Sequence, residues 1–178
     1  MKGFLPALAI ELSQREGSIC VRGEDGREEV RRFAAGNRER DELLPAIDSA
    51  VAANGCRGRD LKILACDIGP GGFTGLRVSI ATVQGIAEVS GASVVGVDGG
   101  VVAAQSTPAA SDADGTVLVL LASKRDSVWA GHLELDDGIW RHVSPAGVIS
   151  LPPSDAPALV LADSHLPESF RDAFDEAG

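Results

Sequence analysis

The sequence predicts a mixed α/β fold of two subdomains, and three observations carry that prediction. Two sets of short apolar strands, at residues 7–33 and 116–143, contain Asp-Gly dipeptides that read as hairpin turns, because Gly supplies the positive φ a tight turn needs. Between them, a buried strand at 62–66 feeds a loop with glycines at 69, 71, 72 and 75, and a long helix follows at 74–90. A strand at 93–97 completes a βαβ unit, whose two strands should run parallel.

Taken in order, residues 7–12, 18–22 and 27–33 read as three antiparallel strands, the last two joined through Asp25-Gly26. Asn37 is placed to cap a helix from about 38 to 54, with Leu43, Leu44, Ile47 and Val51 on one stripe and Gly55 as its stop. Pro45 either kinks that helix or marks its true first turn. Gly91 ends the long helix, and residues 99–105 form a short one. The polar stretch 106–115 reads as a surface connection, which divides the chain into subdomains 1–105 and 106–178. Strands at 116–122, 128–135 and 139–143 repeat the N-terminal plan, with Trp129 and Trp140 expected as a cross-strand pair. A strand at 158–162 and a helix at 167–176 finish the chain.

Composition narrows the function classes. The chain has 178 residues, 44% hydrophobic and 24% charged, which is ordinary globular composition with enough length for a sizeable core. Sixteen Lys and Arg against 26 Asp and Glu give a formal charge of −10. Direct nucleic-acid binding is disfavoured, because affinity for a phosphate backbone comes from Lys and Arg releasing counterions. Cys20, Cys56 and Cys66 lack C-x-x-C spacing, which suggests neither a disulfide framework nor a thiolate metal site and fits a reducing cytoplasm. Pro6 and Glu11 break up the apolar opening, which reads as a strand and not a signal peptide, and no stretch approaches the length of a membrane span. The three histidines, His132, His142 and His165, are scattered, so no metal site is expected.

The glycine loop and the helix behind it carry the functional expectation. Backbone N–H groups at Gly69, Gly71, Gly72 and Thr74, helped by the helix dipole, make a candidate anion or nucleotide loop, with Glu11 beside it. Gly75 is followed by Leu76 and Arg77, which excludes a P-loop, and Thr74 stands where the dinucleotide fingerprint needs its third glycine. By residues alone, a bare tight turn ranks ahead of a nucleotide loop. From 74 to 90, the only charged or amide side chains are Arg77, Gln84 and Glu88. Leu76, Ile80, Val83 and Ala87 make one apolar face of the helix, and Val78, Ala81, Gly85 and Val89 make another. Two apolar faces imply either a helix between layers or a subunit interface, and the interface is favoured.

Gly69-Pro70-Gly71-Gly72-Phe73-Thr74-Gly75-Leu76-Arg77 resembles the G-P-G-S-F-T-G-[LV]-R signature of the TsaB (YeaZ) family. The resemblance extends to Leu43-Leu44-Pro45, Gln84-Gly85-Ile86-Ala87 and Gly96-Val97-Asp98. It implies an actin-like (ASKHA), ribonuclease H-like fold, in a family also filed as peptidase M22 or Gcp-like glycoproteases. It further implies a scaffold without catalysis of its own. Such a scaffold pairs with a TsaD-like subunit that transfers a threonylcarbamoyl group to tRNA adenosine, in a complex that also engages a TsaE-like ATPase. The expected partner surface is Leu43, Ile47, Phe73, Leu76, Arg77, Ile80, Val83, Gln84 and Ala87, with ATP and Mg at the partner junction as the associated cofactor. The alternatives are an independent ATP-binding or hydrolytic enzyme of the actin-like class and a homodimer through the same helix. Departures from the family pattern include Glu11-Leu12 in place of Asp-Thr, Gly72 in place of the signature serine, and Ser123-Lys124-Arg125 after the sixth strand.

Overall fold

The computed structural model describes residues 3–14, 16–34, 42–112, 115–154, 157 and 159–175. The chain divides into two compact units, residues 1–97 and 98–178. The first holds β1 (Ala7–Glu11), β2 (Glu16–Arg22), β3 (Glu28–Ala34), α1 (Leu43–Ala53), β4 (Ile63–Asp67), α2 (Phe73–Ser90) and β5 (Ser93–Val97). Its sheet runs β3-β2-β1-β4-β5, with β1 to β3 antiparallel and β1, β4 and β5 parallel. This is the ribonuclease H-like order that the resemblance implies.

Register explains why one face of this sheet becomes core. Leu8 pairs with Val21 and Leu64, and Ile10 with Ile19 and Cys66, so all six point to the same side. Leu43, Ile47, Ala50 and Val51 of α1 close over that side together with Val83 of α2, and Ile80, Ile86 and Ala87 pack against the cluster. Asp25 Oδ1 accepts the Arg27 N–H and Gly26 has φ of 84°, as the Asp-Gly turn requires. Pro45 lies in the first turn of α1, where its missing N–H leaves no helical bond unmade, so the helix starts there without a kink. Asn37 and the helix start expected from it lie outside the described residues. Gly55 and Gly91 stop the two helices at φ of 66° and 71°.

The second unit holds α3 (Gly99–Ser106), α4 (Pro108–Asp112), β6 (Thr116–Ala122), β7 (Val128–Asp136), β8 (Ile139–His142), β9 (Gly147–Ile149), β10 (Val160–Ala162) and α5 (Glu168–Asp175). Strand order is β10-β6-β7-β8, with β9 also on β7, and β10 runs parallel to β6. Alternation along β6 supplies both faces: Val117 and Val119 pack with Leu133, Trp140, Ala104 and Ala110, while Leu118 and Leu120 pack with Val128, Leu166 and Phe170. Asp98 caps α3 by accepting the Gly100 and Val101 N–H groups at 2.8 and 3.0 Å.

Three sequence expectations need correction here. The stretch read as a surface connection contains α4, whose Ala110 is fully buried, because small residues between Pro108 and Asp112 let a short helix press on the sheet. Strand β9 was not expected, since three residues are too few to display a period. The two tryptophans do not face each other: Trp140 pairs with Leu135, and Trp129 lies edge-on to His142 with ring centroids 5.8 Å apart.

Two substitutions in α2 test this packing. A Cβ at Gly75 would overlap the Leu12 carbonyl, so Gly75→Ala should cost about 3 kcal/mol or more in urea unfolding, as rigid backbone overpacking does. The Ser79 hydroxyl is fully buried and has no hydrogen-bond partner among the described residues, so Ser79→Ala should raise stability by about 1 kcal/mol in the same assay.

Candidate functional site

Strands β1 and β4 run side by side and end together, with Ile10 opposite Cys66 and therefore Glu11 beside Asp67. Both carboxylates turn back onto their own chain. Glu11 Oε1 accepts the Ser13 N–H at 2.6 Å, the Ser13 hydroxyl at 2.7 Å and the Gln14 N–H at 3.2 Å. Asp67 Oδ1 accepts the Gly69 N–H at 2.7 Å, and Gly69 adopts a φ of 109° that glycine alone takes readily. The two turns are then joined, because the Gly72 N–H donates to the Ser13 carbonyl at 2.7 Å.

The glycines of the loop serve this junction. A Cβ at Gly71 would overlap the Ser13 side chain and one at Gly75 the Leu12 carbonyl, so the start of α2 lies directly on the β1–β2 turn. Gly72 is the extended N-cap residue of α2 and offers no side-chain cap, whereas the serine of the family signature would carry a hydroxyl there.

A nucleotide phosphate at this position needs several converging N–H groups. The N–H groups of Ser13, Gln14, Gly69 and Gly72 are already donated to protein oxygens, and two carboxylates stand at the strand ends. Thr74 is exposed in the first turn of α2, and Arg77 stacks over the Phe73 ring at 5.2 Å, turned outward with it. These internal hydrogen bonds occupy part of the donor set that a bound phosphate would use. The candidate anion ligands Glu11, Gly69 and Gly72 are spent on internal hydrogen bonds instead.

The partner surface expected on α1 and α2 also needs redrawing. Leu43, Ile47 and Val83 are buried in the core of the first unit, and Ile80 and Ala87 pack against it. Leu76 is half-buried. A side chain already covered by its own sheet has no surface left for a partner. The second apolar face of α2 is the one left open: Val78 is 44% exposed and Val89 82%, with Ala81 and Gly85 exposed between them. Arg77, Gln84 and Glu88 flank that face and are exposed as well. The sequence signal for it was present in the two-faced pattern, but no periodicity says which face meets the sheet.

Other chemistry-bearing residues stay apart. Among the described residues, no three of His, Cys, Asp and Glu converge to hold a metal ion. Burial pushes the Cys66 thiol up from its ordinary range, with the adjacent Asp67 charge adding to the effect, which makes it a poor nucleophile. His165 Nδ1 contacts both Ser164 Oγ and Asp163 Oδ1 at 3.1 Å, so the ring is not placed between nucleophile and acid as a catalytic triad requires. No helix among the described residues is long and apolar enough to cross a membrane.

The sequence matches the TsaD family, tRNA N6-adenosine threonylcarbamoyltransferase, over residues 34–150. It is 29% identical over 98 residues to the tRNA threonylcarbamoyladenosine biosynthesis protein TsaB of Escherichia coli K12, a match covering 55% of this chain and 42% of that protein. The fold is shared with YeaZ from Pseudomonas aeruginosa, at a TM-score of 0.73 and 24% identity over 88% of this chain and 74% of that one. A second structure, described as an uncharacterized protein with similarity to peptidase YEAZ from Pseudomonas aeruginosa, aligns at a TM-score of 0.74 and 22% identity over 96% of this chain and 90% of the other. With more than half its length matched, this chain belongs to the TsaD family and is a TsaB/YeaZ-like member of it.

Proposed function

We propose that this protein is an accessory subunit in the formation of threonylcarbamoyladenosine in tRNA, and that it holds a TsaD-like catalytic partner through the outward face of α2. The observation that carries this reading is the open apolar face of Val78, Ala81, Gly85 and Val89 on a helix whose other face is already packed. Ala81 and Gly85 let a second helix approach closely, and the larger Val78 and Val89 flank them. An apolar stripe of this kind on one helix marks a protein interaction site more often than a catalytic one.

Charge supports a division of labour with a partner. Residues 98–178 carry four Lys and Arg against thirteen Asp and Glu, so this part of the chain repels a phosphate backbone. Contact with tRNA then falls to the partner. The resemblance points the same way, because none of His132, His142 and His165 stands in the H-x-x-x-H spacing of a TsaD-type metal site.

Val78→Asp together with Val89→Asp tests the surface. Both side chains are exposed, so the doubly substituted protein should keep its unfolding free energy in urea within about 0.5 kcal/mol of wild type. Association with a co-expressed TsaD-like subunit, measured by size-exclusion chromatography and calorimetry, should fall at least about ten-fold, since two charges must be desolvated. Undiminished association would overturn the surface. Ile80→Glu is unsuitable for this purpose, because it places a charge against the core. The pathway is tested separately, by mass spectrometry of tRNA nucleosides from cells lacking the protein. Threonylcarbamoyladenosine should be lost there, returning with wild type and not with the Val78, Val89 variant; an unchanged level of the nucleoside would overturn the assignment.

A further inference from the structure

We infer that the Glu11 carboxylate is a built-in anion that closes the β1–β2 turn to phosphate ligands. The turn presents three converging donors, the N–H groups of Ser13 and Gln14 and the Ser13 hydroxyl. Donors grouped in this way attract an anion, whose charge strengthens every hydrogen bond it accepts. Here one oxygen of Glu11 takes all three at 2.6 to 3.2 Å. Ser13 is only 6% exposed, so its N–H and hydroxyl have little access to water as an alternative partner.

Neighbouring residues reinforce the closure. Asp67, 8% exposed, stands next to Glu11 at the end of the adjacent strand and takes the Gly69 N–H by a bond of the same kind. The Gly72 N–H is held by the Ser13 carbonyl. An incoming phosphate would meet two carboxylates and would have to break bonds already made to a charged acceptor. Among the described residues, Arg77 of α2 lies over the exposed Phe73 ring.

The inference is independent of partner binding through α2, because its readouts need no second protein. Titration of the full-length chain with sodium pyrophosphate, and separately with Mg-ATP, is followed by calorimetry and by thermal shift. Wild type should show no saturable binding. Glu11→Ala frees the donors, and Glu11→Gln keeps a neutral acceptor of the same shape that an anion can displace more easily. Pyrophosphate should therefore bind in the order Ala tighter than Gln tighter than wild type, with Ala at least about ten-fold tighter than wild type. If Glu11→Ala does not fold, the comparison of Gln with wild type decides the matter. Saturable binding by wild type that equals that of the variants would overturn the inference, and so would absence of binding in a variant with wild-type circular dichroism.

Discussion

The contact between the start of α2 and the turn that follows β1 governs the first unit. The Gly72 N–H to Ser13 carbonyl bond and the absence of side chains at Gly71 and Gly75 bring helix backbone directly against strand-end backbone. Once that contact is made, the rotation of α2 about its axis is set. Val83 must then point into the core with Ile80, Ile86 and Ala87, while Val78, Ala81, Gly85 and Val89 must point away from it. One backbone approach thereby decides which face of α2 is left open.

The two units are built on a common plan whose local devices recur. In each, three antiparallel strands are joined by a strand parallel to the first, giving β3-β2-β1-β4 in one and β8-β7-β6-β10 in the other. In each, an aspartate directly after that parallel strand's apolar run accepts the N–H two residues on: Asp67 from Gly69 at 2.7 Å, and Asp163 from His165 at 2.6 Å. Strand ends leave N–H groups without ladder partners, and a carboxylate at this position satisfies one of them locally. Asp163 also accepts the Ala122 N–H at the end of β6, tying the paired strands together. In the first unit a second acid, Glu11, instead closes the turn of its own strand.

These devices order the strand ends of both units with carboxylates of the chain itself. A turn stabilised by its own carboxylate needs no ligand to be ordered, which suits the proposed role of presenting a surface to a partner. The strongly acidic composition of residues 98–178 is consistent with the same role, since long-range repulsion keeps this part away from RNA and favours a partner that carries the positive charge.

Much of this was legible in residue order. The βαβ unit, the helix stops at Gly55 and Gly91, and the Asp25-Gly26 and Asp137-Gly138 turns depend on local backbone preferences, so they could be read directly from sequence. The signature from Gly69 to Arg77 named the family for a similar reason, because contiguous residues carry it. What tertiary structure alone decided is orientation and competition. Leu43, Ile47 and Val83 belong to an apolar stripe whether they face a sheet or a partner, and only the packing of α1 and α2 showed that the sheet takes them. Glu11 is an acid beside a glycine loop in either reading, and only the position of Ser13 across the turn showed that its carboxylate is already in use. Sequence determines which groups exist and what backbone they favour; which of several suitable acceptors or surfaces each group meets is set by distances that arise when remote segments are brought together.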